Sequence, residues 1–340
     1  MIMKFKILLG AATAASLMAG AAVAGTLDDV KAKGFLQCGV TTGLSGFSYT
    51  DAVGEWLGFD VAVCRAVAAG IFGDASAVKF SPTTAKTRFT ALSSGEIDML
   101  SRVTTWTFSR DVDLGLDFVG VNYYDGQGFM VRKDLGVTSA LELDGATICI
   151  QTGTTTELNL ADYFRANSMS YEPVPVETNA EGQQKYLSNS CDVYTTDASA
   201  LAANRATFEV PTDHMILPQI ISKEPLGPVV RGGDSEWADA VRWTFNALLI
   251  AEEKGITKAN VMELAKGTED PEVNRLLGSE GEYSAMLGLP SDWIVNIISA
   301  TGNYGEIFEE YLGVNTAIGL ERGLNAQWTK GGLMYSPPFR

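Results

Sequence analysis

One histidine, His214, occurs in 340 residues, so a multi-histidine zinc centre is excluded and any histidine base would have to be that side chain. Its polar setting, Pro211-Thr212-Asp213-His214, reads as surface or packing. Positive charge is scarce as well: 25 Lys and Arg face 41 Asp and Glu, a formal charge of −16, which argues against a nucleic-acid binder or a polybasic membrane-surface protein. The chain has no G-x-S-x-G, H-E-x-x-H, Walker A or G-x-G-x-x-G run, so the common signatures of hydrolases, zincins and nucleotide enzymes are missing. It has no long Gly/Ser linker, no low-complexity tract and no internal repeat. Beyond residue 24 no segment is long and apolar enough to cross a bilayer. With 46% hydrophobic and 19% charged residues, the chain can bury a sizeable core, and its length suggests two domains or lobes. A small diffusible partner fits this composition, and no cofactor is called for.

Residues 1–24 read as an export signal, with Lys4 and Lys6, an apolar run from Ile7 to Ala15, and the small-x-small ending Ala22-Val23-Ala24. An uncleaved anchor is the competing reading, but the Ala and Gly content makes a poor span. Cleavage before Gly25 would remove Lys4 and Lys6, take the charge from −16 to −18, and leave a soluble protein in the periplasm. Export makes the four cysteines, Cys38, Cys64, Cys149 and Cys191, readable as an oxidised set with three pairings open. Cys38 with Cys64 and Cys149 with Cys191 is preferred, because neither bridge would then cross a hinge.

Strand-like runs Phe35–Val40, Val78–Ser81 and Ala146–Gln151 alternate with helical periods, the pattern of an α/β protein with parallel sheets. Phe59, Val63, Val67 and Ile71 recur every four residues, which predicts a helix with one apolar face that Gly73 ends. Thr154 to Glu157 has the form of a capping box.

Three stretches carry chemistry. Asp98 to Arg110 reads as a strand end, a hydroxyl-rich turn and an arginine; Arg110 offers a bidentate fork for a carboxylate and Thr105 a short donor. The alternative is a surface arginine on a Thr-rich loop. Gln151 to Glu157, with Thr154 and Thr155, sets amides and hydroxyls at a helix N-terminus, where an anion is favoured, or is simply a capped helix. Cys191 to Asp197 delivers Asp197 to a strand end, where open α/β sheets bind ligands. Asp197 could pair with an ammonium, cap the helix that follows, or do both. Arg110 and Asp197 would together read both halves of a zwitterion. Phe47 and Trp56 could line a cleft or belong to the core.

Taken together, these segments resemble the extracytoplasmic amino-acid-binding proteins of ABC uptake systems, over essentially the whole chain after residue 24. Gly58 to Ala68 is similar to the family's G-F-D signature, with Ala62 where an acidic residue is usual. Gly120 to Arg132, Gln151 to Asp162, Ile220 to Pro228 and Gly302 to Glu306 resemble the long, general L-amino-acid-binding members. The resemblance implies a two-lobed, type II periplasmic-binding fold with a hinge of two short crossings, near Tyr123 and Gly227. It implies a first lobe of residues 25–122 and 230–340, the latter including an extra C-terminal helical segment, and a second lobe of residues 123–229.

By the same resemblance, Arg110 clamps the ligand's α-carboxylate with help from Thr105 and the backbone at Val103, Thr155 donates from the second lobe, and Asp197 holds the α-ammonium. Arg88 matches an arginine that faces the ligand in acidic-amino-acid binders. Leu44 and Ala85 stand where narrower relatives place stacking side chains, which implies a roomy pocket and broad specificity, small γ-glutamyl peptides included. The expected partner is an inner-membrane ABC permease, and the expected state is a monomer. Two other uses of the fold remain: an exported enzyme similar to cyclohexadienyl dehydratases, and a protein that presents ligand to a receptor.

Overall fold

Two mixed sheets, each of five strands, form the framework. The computed structural model describes residues 25–340, so the export signal lies outside the described residues. In the first sheet the order is Val78–Pro82, Leu36–Val40, Met99–Leu100, Val229–Arg231, Leu116–Phe118. In the second it is Tyr171–Val176, Ala146–Gln151, Val193–Asp197, Gln127–Arg132, His214–Ile216. The central strands run parallel, as the alternation of strand and helix implies. Val229–Arg231 and Gln127–Arg132 run antiparallel to their neighbours, so the sheets are not purely parallel. Both of these strands lie next to a crossing between the sheets, where the chain enters its new sheet against the direction of the others.

The crossing is itself a ribbon. Tyr123–Asp125 pairs antiparallel with Glu224–Leu226, Asp125 opposite Glu224 and Tyr123 opposite Leu226. Just beyond it a Cβ on Gly227 would lie 2.0 Å from the Gly120 carbonyl oxygen, so only glycine allows the two backbones to touch here.

The helix over Phe59–Phe72 ends at Gly73, whose φ of 68° is the left-handed cap glycine favours. It is buried nearly all round instead of along one face, because Trp293–Thr301 and Ser235–Glu253 pack against it. Trp237, Trp293, Phe59 and Phe308 anchor that first core, while Phe129, Leu160 and Phe164 build the second. The cysteines pair as Cys38–Cys64 and Cys149–Cys191, one bridge beside each sheet. Among the described residues no helix is long and apolar enough to cross a membrane.

The C-terminal segment packs on the first core through helices Pro271–Leu277, Trp293–Thr301 and Tyr304–Tyr311. Its last part reaches the ribbon. Arg322 forks onto Glu252 with two bonds of 3.0 Å and lies over the rings of Tyr304 and Phe308. Asn325 bonds the backbone of Tyr124.

Candidate functional site

The carboxyl ends of the central strands of both sheets face one enclosed cleft of about 50 Å³. The walls are drawn together: the hydroxyls of Thr105 and Thr155 stand 3.3 Å apart across it, and Asn179 Nδ2 donates to the Gly43 carbonyl at 3.4 Å. Arg88, Val103, Thr105, Thr154, Thr155 and Asp197 all line this cleft. Leu44 lines it as well, with Arg102 and Asn179, which sequence reasoning did not single out.

Two of the sequence-derived candidates lie elsewhere. Arg110 is buried just behind the wall, with Nη1 donating to the Thr105 carbonyl at 2.7 Å and the guanidinium over the Phe89 ring. Among the described residues no acceptor meets its Nε or Nη2. Phe47 is not in the wall: it packs edge-on against Phe59 and Tyr123, because its ring completes the first core. His214 also packs, bonded to the Tyr186 hydroxyl at 3.0 Å and set against Phe208.

The helix Thr155–Ala166 starts at the cleft. Thr154 Oγ1 accepts from the Glu157 amide at 3.3 Å and donates its own hydrogen to the Gln151 carbonyl at 2.6 Å. The capping box is displaced by one residue, since the Glu157 carboxylate accepts from Gly153 and not from Thr154. Asp197 precedes the helix Ala198–Ala206 but makes no cap bond to it, which leaves its carboxylate to the cleft.

Glu224, on the ribbon, collects four donors. Its Oε2 accepts from Thr105 Oγ1 at 2.5 Å and Thr155 Oγ1 at 2.8 Å, its Oε1 from Asn159 Nδ2 at 2.7 Å and Ser222 Oγ at 2.8 Å. A hydroxyl has one hydrogen, so Thr105 and Thr155 are both committed to Glu224 and turn lone pairs toward the cleft. Glu224 is missed by local reading because its contact with Thr105 spans 119 positions.

Charge is concentrated here out of water. Burial, with repulsion from Arg102 and Arg110, pulls the Arg88 guanidinium well below its usual range. Burial brings Arg102 down to about 10 and lowers Arg110, while Glu224 and Asp197 work against the shift at Arg110. On the acidic side, burial and then Asp125 and Glu224 push Asp197 well above the usual carboxylate range. Burial likewise carries Asp125 to about 6. Among the described residues no cluster of His, Cys, Asp and Glu is placed to hold a metal ion. A cleft with guanidiniums on one side, an aspartate on the other and hydroxyls between them can hold a small zwitterion whole.

Residues 36–256 match the model of the bacterial extracellular solute-binding proteins, family 3. The chain belongs to that family. Within family 3 it is 62% identical to the glutamate/glutamine/aspartate/asparagine-binding protein of Rhodobacter capsulatus, over 99% of this chain and 100% of that protein. It is 58% identical to the general L-amino acid-binding periplasmic protein of Rhizobium johnstonii, again over 99% of this chain and 100% of that one. A periplasmic binding protein of an ABC transporter from Brucella ovis, solved with glutathione bound, superposes with a TM-score of 0.91 at 60% identity, covering 93% of this chain and 100% of that one. The family 3 match ends at residue 256, so the segment that braces the ribbon lies outside it.

Proposed function

We propose that this chain captures L-amino acids in the cleft between its sheets and delivers them to an ABC permease of the inner membrane. The observation that carries this reading is the placement of Arg88 and Arg102 on the wall of the same small cleft as Asp197, with Arg110 held just behind that wall on the Thr105 carbonyl. The ligand's α-carboxylate goes to the free nitrogens of Arg110 and to the first-turn amides of the helix Thr155–Ala166. Its α-ammonium goes to Asp197 and to the hydroxyl oxygens of Thr105 and Thr155, whose hydrogens Glu224 has taken. Val103 contributes its carbonyl, since its amide already donates to Asp60 at 3.0 Å.

The relatives are named as binding proteins, which supports capture without turnover, and the chain is read as a binding protein and not an enzyme. A γ-glutamyl peptide carries the same α-amino-carboxylate head, and the glutathione-bound relative supports that extension. In this reading residues 25–122 and 230–340 form one lobe and residues 123–229 the other. The lobes close on ligand by selection of contacts made only in the closed form. The protein works as a periplasmic monomer after loss of residues 1–24. Calorimetric titration of ligand-freed protein with the twenty L-amino acids and glutathione tests this. Competitive binding of several intact ligands at one site is the expected result, and recovery of a chemically altered ligand would overturn it.

A further inference from the structure

Asp197 has the residue type and the place of an N-cap for the helix Ala198–Ala206, yet it makes no cap bond. The start of that helix is satisfied from the crossing instead. The Ala198 amide donates to the Gly126 carbonyl at 2.8 Å, and the Ser199 amide donates to Asp125 Oδ1 at 3.4 Å. The Ser199 hydroxyl donates to Asp125 Oδ2, and the Gly126 amide fixes Asp125 Oδ1 at 2.8 Å. Asp125 thus does for this helix, from 74 positions away, what the residue at its own N-cap would ordinarily do.

The exchange matters because orphan amides and a ligand ammonium compete for the same carboxylate oxygens. With Asp125 on the amides, Asp197 is released to line the cleft. Asp125 is itself held opposite Glu224 in the ribbon ladder, so the crossing between the sheets sets the aim of Asp197. The groups facing Asp197 are Asp125 and Glu224 on the ribbon, Arg88, Arg102 and Arg110 from the first-sheet side, and Tyr123 and Tyr194. A negative charge at Asp125 draws a cation toward Asp197 and makes Asp197 harder to ionise.

We propose that Asp125 is a positioning residue for the ammonium site: by capping the helix Ala198–Ala206 in place of Asp197, it leaves both oxygens of Asp197 to the ligand's α-ammonium. The inference rests on the amino-acid reading above, in which Asp197 receives that ammonium.

Calorimetric titration with L-glutamine and L-glutamate tests it, on wild type, Asp125→Asn, Asp125→Ala, Asp197→Asn and the variant carrying both Asp125→Ala and Asp197→Asn, each shown to be folded by thermal unfolding. Asp125→Ala strands the Ser199 amide, Asp197 turns to cap it, and affinity falls by about tenfold or more, the scale of a lost charge-assisted bond. Asp125→Asn keeps an oxygen for the cap and restores most of that loss at neutral pH. Its fall in affinity on acidification moves to lower pH than in wild type, because a negative neighbour of Asp197 is gone. In the Asp197→Asn background Asp125→Ala costs little more, since the group it positions is already lost. Equal losses in the two backgrounds would make Asp125 a structural residue and overturn the inference while capture stands. Wild-type affinity in Asp125→Ala would overturn it in the same way. Where the alanine variants fail to fold or bind too weakly to titrate, Asp125→Asn decides: an acid limb shifted down supports the inference, and one unmoved from wild type overturns it. Wild-type protein that binds no L-amino acid would remove the capture reading and this inference together.

Discussion

Asn325 makes both of its amide bonds to one residue: the Tyr124 amide donates to its Oδ1 at 2.6 Å, and its Nδ2 donates to the Tyr124 carbonyl at 3.2 Å. Tyr124 lies on the ribbon that joins the sheets, with its other neighbour Pro225. The side chain therefore behaves as a short extra strand along the edge of the hinge.

Replacing Asn325 by Ala leaves a backbone donor and an acceptor of the ribbon unpaired, at a cost of about 1–3 kcal/mol. Thermal unfolding should show a lower Tm than wild type. An unchanged Tm would mean that the ribbon does not depend on this brace.

Arg110→Ala should abolish binding of every amino acid, since stranding a buried carboxylate costs roughly 3–5 kcal/mol. Titration with one acidic, one neutral and one basic ligand checks this. Loss confined to one ligand class would place the α-carboxylate elsewhere in the cleft.

Acid should move stability and affinity in opposite directions. Asp60 and Asp125 titrate near 6 in the fold, and Asp197 is also raised, all mainly through burial. Their folded pKa values exceed the unfolded ones, so the stabilisation they give is full below the unfolded carboxylate range and is lost as pH rises through about 6. The ligand-free protein should gain up to about 1.4 kcal/mol per pH unit for each such group on acidification across that window. An ammonium ligand needs Asp197 charged, and burial raises its pKa, so affinity should fall on acidification in wild type and depend less on pH in Asp197→Asn. Denaturant unfolding and titration at several pH values measure the two slopes, and parallel slopes would contradict the assignment.

Reduction of the disulfides should lower stability without touching recognition. The bridges close loops of 26 and 42 residues, for which chain entropy gives roughly 3–4 kcal/mol each. Each joins segments beside a single sheet, so folded reduced protein should bind its ligands with the affinity of the oxidised form. A titration in reductant, at a temperature where the chain stays folded, decides the point.

What local sequence could reveal was whatever is built from neighbours. The period of Phe59, Val63, Val67 and Ile71 marks the helix that forms, the Ala146–Gln151 run is the strand observed, and Thr154 sits at a helix start. The same period could not show that helices far along the chain cover the other side. Thr155 and Asp197 are legible because each sits at the end of a recognisable element and Thr105 because it lies in a hydroxyl-rich turn, whereas Arg88 is pointed out by the family resemblance alone. Arg102 lay in plain view within the Asp98–Arg110 stretch, but its direction depends on the backbone of Val103, which Asp60 holds from 43 positions away. Three of the four donors to Glu224 come from distant positions, Thr105 from 119 away, and the Asn325 side chain bonds Tyr124 from 201 away, so neither has a local signature. Phe47 misled because an aromatic near a strand end looks the same from sequence whether it faces a cleft or a core.

The contact between Gly227 and Gly120 makes the two crossings mechanically one part. Strands that share a ladder from Asp125–Glu224 to Tyr123–Leu226, with touching backbones at their end, cannot bend independently. In the lobe closure proposed above, the two crossings would bend as one part. A membrane partner that reads the outline of this molecule would then meet a dial with one pointer, in which cleft occupancy is translated into one angle.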